Sequence, residues 1–321
     1  MPRLSLATDT GVLRATGGHG DGWRGHWTEP GGYLECLAAV GDRTIVGSAD
    51  GVCYGSAGVE ADWQVLAERG DRVTALTVDP HDPETVWLGT EPSRVYRSEG
   101  GGTWTERPGL ADLPSADRWS FPPRPHTHHV RWIAVDPGDP GHLAVAVEAG
   151  AFLRSRDGGE TWLDHAESAR RDTHTIATHP EAPGRLYVAA GDGYAESPDW
   201  GDSWVIPQDG LDHRYVWSVA VAPTDPDDVF VSAASGPRAA HDPDGESLVY
   251  RRRDGGWDPA MDGLPGPDGL GRAVLASGPE RVYAATNHGP FVRESGRWER
   301  LPVEWPERRR DELSRGLSIV G

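Results

Sequence analysis

The sequence contains no lysine: all 31 basic residues are arginine, against 50 aspartate and glutamate residues. The formal net charge of −19 repels nucleic acid and anionic membranes, so we expect neither as a partner. Two interpretations of the missing lysine stay open. One is a GC-rich genome, which favours arginine codons. The other, which we favour, is a halophilic, salt-adapted cytoplasm in which excess carboxylates keep a protein hydrated.

Cysteine and long apolar runs are also scarce. Cys36 and Cys53 are the only cysteines, which is too few for a disulfide framework. No segment approaches about 18 consecutive apolar residues, and no basic stretch followed by an apolar one opens the chain. We therefore expect a soluble, cytoplasmic protein without a membrane span.

Glycine, proline and tryptophan are abundant instead. The 321 residues include 42 Gly, 27 Pro and 14 Trp, but only 4 Phe. This composition is typical of many short strands joined by tight turns, and it argues against long helices. Ordinary packing would divide such a length into two domains, whereas a repeat architecture allows one longer domain.

An internal repeat is the strongest signal in the sequence. An aliphatic strand followed by a turn with two prolines recurs in one frame at residues 73–83, 130–140 and 216–226, and residues 173–183 keep both prolines. A second strand follows each turn. The repeat ends in the motif Ser-x-Asp-x-Gly-x-Thr/Ser-Trp, which is complete at residues 155–162 and 197–204 and degenerate before Trp104, Trp257 and Trp298.

The chemistry of that motif is local. We expect the Asp side chain to accept backbone amides of the turn, Gly to supply a positive φ, and Trp to pack between neighbouring strands or blades. Two complete copies in register with the strand repeat predict a propeller, because each unit then forms one blade of a ring.

Counting the units predicts a single domain over residues 1–321. Six blades fall at about residues 33–69, 70–107, 128–165, 172–210, 213–263 and 271–302. Residues 4–29 supply three further strands, and residues 316–320 form a strand without a neighbour in sequence. We predict an all-β, seven-bladed β-propeller of four-stranded blades, in which the C-terminal strand pairs with the N-terminal blade and closes the ring.

These repeats resemble the BNR/Asp-box β-propeller superfamily, which includes sialidases, xyloglucanases, sortilin-type receptors and photosystem II assembly factors. The resemblance covers nearly the whole chain. It implies an architecture rather than an activity, because the Asp box of those families lies away from the ligand face. The Arg-Ile-Pro tripeptide of bacterial sialidases does not occur in this sequence, which argues against sialidase chemistry.

Alignment on the turn prolines gathers polar and aromatic side chains at one mouth of the central channel. The equivalent inner-strand residues are Thr74, Arg131, His174 and Trp217, with Glu35 and Arg272 aligned less closely. The residues two positions earlier are Arg72, His129, Asp172 and Tyr215. The loops after the second strands add Glu91, Arg94, Glu148, Asp192, Arg238, His241, Asn287 and His288.

Histidines in this set suggest a divalent metal ion. The predicted ligands are His126, His128, His129, His174 and His213. The alternative is a polar loop whose imidazoles bond to backbone groups.

Arginines in the set suggest an anion pocket, since guanidinium groups bind carboxylate or phosphate through two parallel hydrogen bonds. The predicted ligand-binding residues are Arg72, Arg131, Arg272, Glu35, Trp217 and Arg238. The alternative is salt bridging to the carboxylates Glu35, Glu91, Glu148 and Asp172.

Two loops, residues 108–125 and 235–246, are long for this repeat and are expected to border the same face. The predicted catalytic residues are His129, His174, Tyr215 and Glu148. Tyr194, Glu91 and Asp192 are further acid or base candidates. The predicted function is a pocket that binds, or binds and cleaves as a glycoside hydrolase or polysaccharide lyase would, a small anionic or carbohydrate ligand. The alternative is a non-enzymatic scaffold for assembly or protein interaction.

Overall fold

A computed structural model describes residues 1–18, 22–100 and 102–321 of the chain. Across these ranges the strands form seven antiparallel sheets, which are the blades of one propeller. The predicted all-β, seven-bladed fold is therefore confirmed. None of the helices within the same ranges is long and apolar enough to cross a membrane.

Four blades contain four strands that are consecutive in the chain, and we number all blades along the sequence. Blade 1 comprises Leu34–Val40, Arg43–Ser48, Val52–Ala57 and Gln64–Glu68. Blade 2 comprises Arg72–Val78, Thr85–Glu91, Val95–Glu99 and Trp104–Arg107. Blade 5 comprises Tyr215–Val221, Val229–Ala234, Leu248–Arg253 and Gly256–Pro259. Blade 6 comprises Val274–Ser277, Val282–Thr286, Gly289–Glu294 and Arg297–Arg300.

The blades that carry the complete Asp boxes have a reduced fourth strand. Blade 3 comprises Val130–Asp136, Asp139–Val147 and Ala151–Ser155. Blade 4 comprises Thr173–Ala177, Leu186–Ala190 and Gly193–Ser197. In each, the fourth segment pairs with the third strand through one bridge, Arg154 with Leu163 and Glu196 with Val205.

The Asp-box turns make the local contacts that the sequence predicts. The Asp157 carboxylate accepts the backbone amide of Thr161 at 2.9 Å and its hydroxyl at 2.6 Å. Ser155 Oγ accepts the amide of Gly159, whose φ is 81°. The same bonds recur in the turn at residues 197–204. Gly101, in the degenerate copy before Trp104, lies outside the described residues.

Two repeat tryptophans join their blade to the one before it. Trp257 Nε1 of blade 5 donates to Pro207 O at 2.9 Å, and Trp298 Nε1 of blade 6 donates to Ala260 O at 2.7 Å. Each acceptor belongs to the segment that leaves the preceding blade. Because these indoles are buried, each contact combines apolar packing with a satisfied N–H.

The C-terminal strand closes the ring, as predicted. The closing blade contains Arg3–Ala7, Val12–Gly18, Gly22–Thr28 and Gly316–Val320. Gly316–Val320 pairs with Arg3–Ala7 from Ala7–Gly316 to Arg3–Val320 and is the innermost strand of this blade. It therefore lies between the inner strands of blades 6 and 1, and the ends of the chain meet in one sheet.

Short helices lie in loops within and between the blades. They are Leu110–Asp112 and Ala116–Arg118 in the long loop after blade 2, Pro237–Ala240 after the second strand of blade 5, and Glu307–Asp311 before the closing strand. The first three belong to the two loops that the sequence indicated as unusually long.

Candidate functional site

One backbone irregularity recurs at the channel mouth. Five inner strands shift register by one residue against their second strands, and the residues left out of the ladder are Glu35, Thr74, Arg131, His174 and Trp217. A β-bulge of this kind releases a residue from pairing and redirects its side chain. The positions that the sequence alignment treats as equivalent are thus equivalent in structure, and the bulge explains why they share a surface.

A cavity of about 270 Å³ occupies this mouth. Seven predicted site residues line it: Glu35, Arg72, His129, Arg131, Glu148, Trp217 and Arg272. An outer cavity of about 600 Å³ adjoins it through shared residues, Phe121, Arg124, Glu148 and His241, and also contains the predicted Tyr215 and Arg238. Both long loops line the outer cavity, through residues 121–124 and 237–241, as expected from their register.

Two guanidinium groups lie against the indole ring of Trp217. Arg272 Cζ is 3.9 Å and Arg131 Cζ 4.7 Å from the centre of the indole ring. Arg272 is 2% exposed, and burial together with the charge of Arg131 lowers its pKa to about 10. Two like charges are thus held against one aromatic ring, which offsets part of their desolvation through cation–π attraction.

His241 completes this group as a neutral imidazole. Burial and the charge of Arg272 lower its pKa to about 3. Its Nδ1 accepts a hydrogen bond from Arg272 at 2.7 Å, so its proton is on Nε2, which lies 3.1 Å from Tyr215 Oη. Arg272 therefore has a hydrogen-bond acceptor here but no neutralising charge.

The five arginines of the inner cavity differ in their partners. Arg72 forms an ion pair with Glu35 and lies 3.5 Å from Glu91. Arg124 binds Glu91 through two bonds of 2.7 and 2.6 Å, and Arg315 binds Asp9 at 2.6 Å. For these three, the salt-bridge interpretation describes the contacts.

Arg131 and Arg272 lack such partners. Within the described part of the chain, no carboxylate lies within 4 Å of Arg272, and Arg131 has only Glu148, at 3.5 Å without a hydrogen bond. The Nε atoms of both arginines are buried and have no hydrogen-bond partner in that part of the chain. The positive charge of the cavity is concentrated on these two side chains.

Glu148 is the buried carboxylate at the junction of the two cavities. Its Oε2 accepts a hydrogen bond from His129 Nε2 at 2.9 Å. Burial alone would raise the pKa of Glu148, but the His129 hydrogen bond, with the charges of His129, His174 and Arg131, holds it far below its ordinary value. Glu148 is therefore a carboxylate at neutral pH.

Asp172 and His174 lie beside Glu148. His174 Nε2 is 3.7 Å from Asp172 Oδ2 and 3.9 Å from Glu148 Oε1, and one ligand atom of each of the three residues lies within 4.8 Å of the others. Burial, opposed by His174 but supported by the charge of Glu148, raises the pKa of Asp172. These three residues could hold a metal ion.

The five histidines predicted as ligands do not form one group. His126 is exposed, His128 packs edge-on against Trp119 with ring centres 5.3 Å apart, and His213 bonds to Tyr250 Oη at 2.6 Å and to Glu246 at 3.2 Å. Only His129 and His174 reach Glu148. The predicted acid or base Tyr194 is fully buried against Glu196, away from both cavities.

Some residues that line the inner cavity were not predicted from the sequence. Phe121 was considered only as a residue of a long loop, and Arg124, Tyr33 and Arg315 were not proposed at all. A Pro-flanked arginine in residues 122–125 was the available signal for Arg124. Tyr33 lies two positions before Glu35, where the other blades have Arg72, His129, Asp172 and Tyr215, so the same alignment could have found it. Arg315 stacks on Tyr33 at 4.7 Å but lies outside the aligned repeat, so no register argument could find it.

Comparison with known proteins gives relatives by structure only. No family model and no curated protein matches the chain. An ancestral GH74 enzyme superposes with a TM-score of 0.65 at 17% identity, over 84% of this chain and 38% of its own. The GH74 xyloglucanase of Xanthomonas campestris gives 0.60 at 18% identity, over 87% and 50%. YCF48 bound to a D1 peptide gives 0.55 at 14% identity, over 83% and 80%.

The chain therefore spans half or less of the two GH74 enzymes. At these identities the likeness concerns the fold, and enzymes and a peptide-binding protein both have it. The resemblance to xyloglucanase-like and assembly-factor-like propellers is confirmed at that level: the chain is a seven-bladed β-propeller of the kind found in GH74 enzymes and in YCF48.

Proposed function

We propose that the cavity at the channel mouth binds a small anionic ligand between Arg131 and Arg272. The observation that carries this proposal is the pair of guanidinium groups on Trp217, which have no hydrogen-bonded carboxylate in the described residues although 50 acidic residues are present in the chain. A buried charge without a partner is costly, so such a pair is favourable when a ligand supplies the counter-charge.

The local charge supports an anion. The inner cavity is lined by five arginines and two glutamates, whereas the whole chain carries −19. Exposed acidic residues repel an approaching anion, but the field inside a narrow, low-dielectric pocket is set by the nearest groups. The pocket therefore selects a ligand small enough to place its charge beside Arg131 and Arg272.

The outer cavity suggests what the rest of the ligand is. Phe121, Tyr215 and two adjacent prolines give this cavity an apolar wall, while Arg238 and Glu148 supply polar groups. Aromatic and proline faces beside a few charged groups suit a sugar ring. Two of the structural relatives are carbohydrate-active GH74 enzymes. We therefore propose a sugar acid, with its carboxylate on the arginines, as the ligand class.

Cleavage would require a proton donor beside the sugar, and Tyr215 fits this role. Burial, with the charges of Glu148 and Asp172, raises the pKa of its phenol, so it stays protonated at neutral pH. Glu148, His129 and His174 remain the other predicted catalytic residues. A cytoplasmic location remains a prediction of the sequence.

The test compares glucuronate with glucose, which lacks the carboxylate. We expect glucuronate to bind the wild-type protein in isothermal titration calorimetry and glucose not to bind. Arg131→Met should lower the affinity for glucuronate at least tenfold. A charged hydrogen bond contributes about 1.5–3 kcal/mol, and about 1.4 kcal/mol corresponds to a tenfold change in the dissociation constant. Arg94→Met is the matched control, because Arg94 is an exposed rim arginine paired with Asp71 at 3.3 Å and lines neither cavity.

Equal binding of both sugars, or unchanged affinity in Arg131→Met, contradicts the anion pocket. If neither glucuronate nor galacturonate binds, the sugar-acid class is wrong and the scaffold hypothesis gains support. Release of reducing ends from glucuronate oligomers indicates cleavage. New absorbance from a carbon–carbon double bond then indicates a lyase, and reducing ends without that absorbance indicate hydrolysis. Circular dichroism of each variant establishes that it is folded.

A further inference from the structure

Glu148, Asp172 and His174 form a separate cluster beside the proposed anion pocket. His174 Nε2 lies 3.7 Å from Asp172 Oδ2 and 3.9 Å from Glu148 Oε1. Both distances are too long for hydrogen bonds. Two ligand atoms that share one ion at about 2.1 Å lie roughly 3 to 4 Å apart, depending on the angle between them. The spacing therefore suits a bound cation better than direct contact.

Each of the three side chains is fixed through its other polar atom. His174 Nδ1 donates to Val216 O at 2.8 Å, and Asp172 Oδ1 accepts the amide of Ala149 at 3.1 Å. Glu148 Oε2 accepts from His129 at 2.9 Å. The remaining atom of each residue faces the other two. Outer contacts that orient a ligating imidazole and its carboxylates are the usual support of a metal site.

His174 supplies an independent observation. Its side chain is 0% exposed, and its Nε2 has no hydrogen-bond partner among the described residues. Since Nδ1 donates to a backbone carbonyl, Nε2 presents its lone pair to the two carboxylates when the ring is neutral. A buried imidazole nitrogen without a partner needs an explanation, and an ion at this point provides one.

Gly191 leaves the space that Asp172 occupies. A Cβ at residue 191 would lie 2.0 Å from Asp172 Oδ2 and 3.3 Å from the Tyr215 ring. The φ of Gly191 is not in the left-handed region, so the backbone does not require glycine there. What requires it is the close approach of the carboxylate, since any side chain would displace Oδ2 from its observed position.

We propose that Glu148 Oε1, Asp172 Oδ2 and His174 Nε2 hold a divalent transition-metal ion, with Mn²⁺ and Zn²⁺ as the fitting choices. One imidazole and two carboxylates combine the ligands that suit these ions, whereas Mg²⁺ and Ca²⁺ prefer oxygen alone. Glu148 and Asp172 also line the outer cavity, so the open coordination positions face the space proposed for the sugar. This ligand set differs from the five histidines predicted from sequence and keeps only His174.

The competing explanation is an ion pair without metal, between a charged His174 and its two neighbours. The two explanations differ in stoichiometric metal uptake. The protein is freed of metal with EDTA, dialysed, and then equilibrated separately with MnCl₂, ZnCl₂ and MgCl₂. Elemental analysis counts the ions bound, and calorimetry gives the affinity. We expect one Mn²⁺ or Zn²⁺ per chain and at least tenfold weaker Mg²⁺.

Two variants and one control locate the site. Asp172→Asn removes a ligand charge, and Gly191→Ala adds one methyl group that displaces the ligand. Each substitution should lower the affinity for Mn²⁺ or Zn²⁺ at least tenfold. Asp227→Asn is the matched control, because Asp227 is an exposed carboxylate that binds Arg185 at 2.7 Å and lines neither cavity. Its affinity should stay within twofold of wild type.

Absence of stoichiometric Mn²⁺ and Zn²⁺ uptake by the folded wild-type protein overturns the metal site and leaves the ion pair. Equal uptake by Asp172→Asn and Gly191→Ala overturns it as well, since the ion would then be bound elsewhere. Glucuronate binding is measured in EDTA, so failure of the anion pocket and failure of the metal site are distinguishable.

Discussion

Arg309 is the buried charge on which the closure of the ring depends most directly. It belongs to the short helix Glu307–Asp311, and its side chain is 0% exposed. Its guanidinium binds Glu312 at 2.7 Å and Glu29 at 2.8 Å and lies 4.8 Å from the ring centre of Trp27. It therefore attaches the segment before the C-terminal strand to the N-terminal strands. We predict that Arg309→Met destabilises the whole propeller.

The magnitude follows from the partner that is left behind. Breaking a buried ion pair from one side costs about 3–5 kcal/mol, because the other charge stays buried without compensation. The Glu312 side chain is 17% exposed, so water relieves part of that cost. Met retains much of the packing on Trp27. We therefore expect the free energy of unfolding to fall by about 3 kcal/mol.

The neighbouring arginine gives a matched control. Arg308 also binds Glu29, at 3.0 Å, but its side chain is 67% exposed. A surface pair contributes about 0–1 kcal/mol, so Arg308→Met should change stability by less than that. Urea unfolding followed by tryptophan fluorescence measures both variants at constant salt. If Arg309→Met and Arg308→Met unfold at the same urea concentration, the buried pair does not stabilise the closure.

A double-mutant cycle separates the pair from other effects of the substitution. In Arg309→Met/Glu312→Gln no uncompensated charge remains, so the loss should be smaller than the sum of the two single losses by more than about 0.5 kcal/mol. Gly11→Ala offers a second perturbation, since its Cβ would lie 2.3 Å from Arg309 Nη2. Additive losses in the cycle would contradict the assigned contact.

Three further predictions concern stability. Deletion of residues 314–321 should cost more than the about 2–5 kcal/mol expected for Ile319 alone, which is 7% exposed, as measured by urea unfolding. Burial alone would raise the pKa of Glu312, but hydrogen bonds and the charge of Arg309 hold it below its ordinary value of 4.5. The stability that ionised Glu312 contributes is therefore present above about pH 4.5 and lost as pH falls through its folded-state pKa. The free energies of unfolding of wild type and Glu312→Gln should become equal in acid. Raising salt from 0.1 to 1 M shortens the Debye length from ~10 to ~3 Å and should raise the melting temperature, whereas no change would reject salt adaptation.

Much of the fold could be predicted from the sequence because each repeat unit contains motifs that mark its own strands and turns. The two-proline turns located the inner strands, and the Asp boxes located the outer turns. The missing strand of the N-terminal blade and the unmatched residues 316–320 together predicted closure. The bulges themselves were not predicted, but alignment of Arg131, His174 and Trp217 placed their residues correctly, since the same bulge recurs in blades 1 to 5 and keeps the register between them.

The pairing of charges inside the site could not be predicted. Alignment of the repeats predicted that arginines converge on one face, but not that Arg72 meets Glu35 while Arg272 meets no carboxylate in the described residues. Loop histidines failed for a related reason. His126 and His128 were both predicted as metal ligands, yet His128 packs edge-on against Trp119 in the same long loop. Packing against an aromatic residue of the loop leaves no period in the sequence.

The contrast between neighbouring arginines bears most strongly on function. Arg72 and Arg131 line the same cavity and are supplied by adjacent blades, in a chain with a large excess of carboxylates. Arg72 is neutralised by Glu35, whereas the one acidic group near Arg131, Glu148, is hydrogen-bonded to His129 instead. A leftover buried donor costs about 1–3 kcal/mol, and one further carboxylate would remove that cost. A purely structural role gives no reason to keep Arg131 without a carboxylate partner, whereas a pocket that must accept an anion requires an unpaired guanidinium.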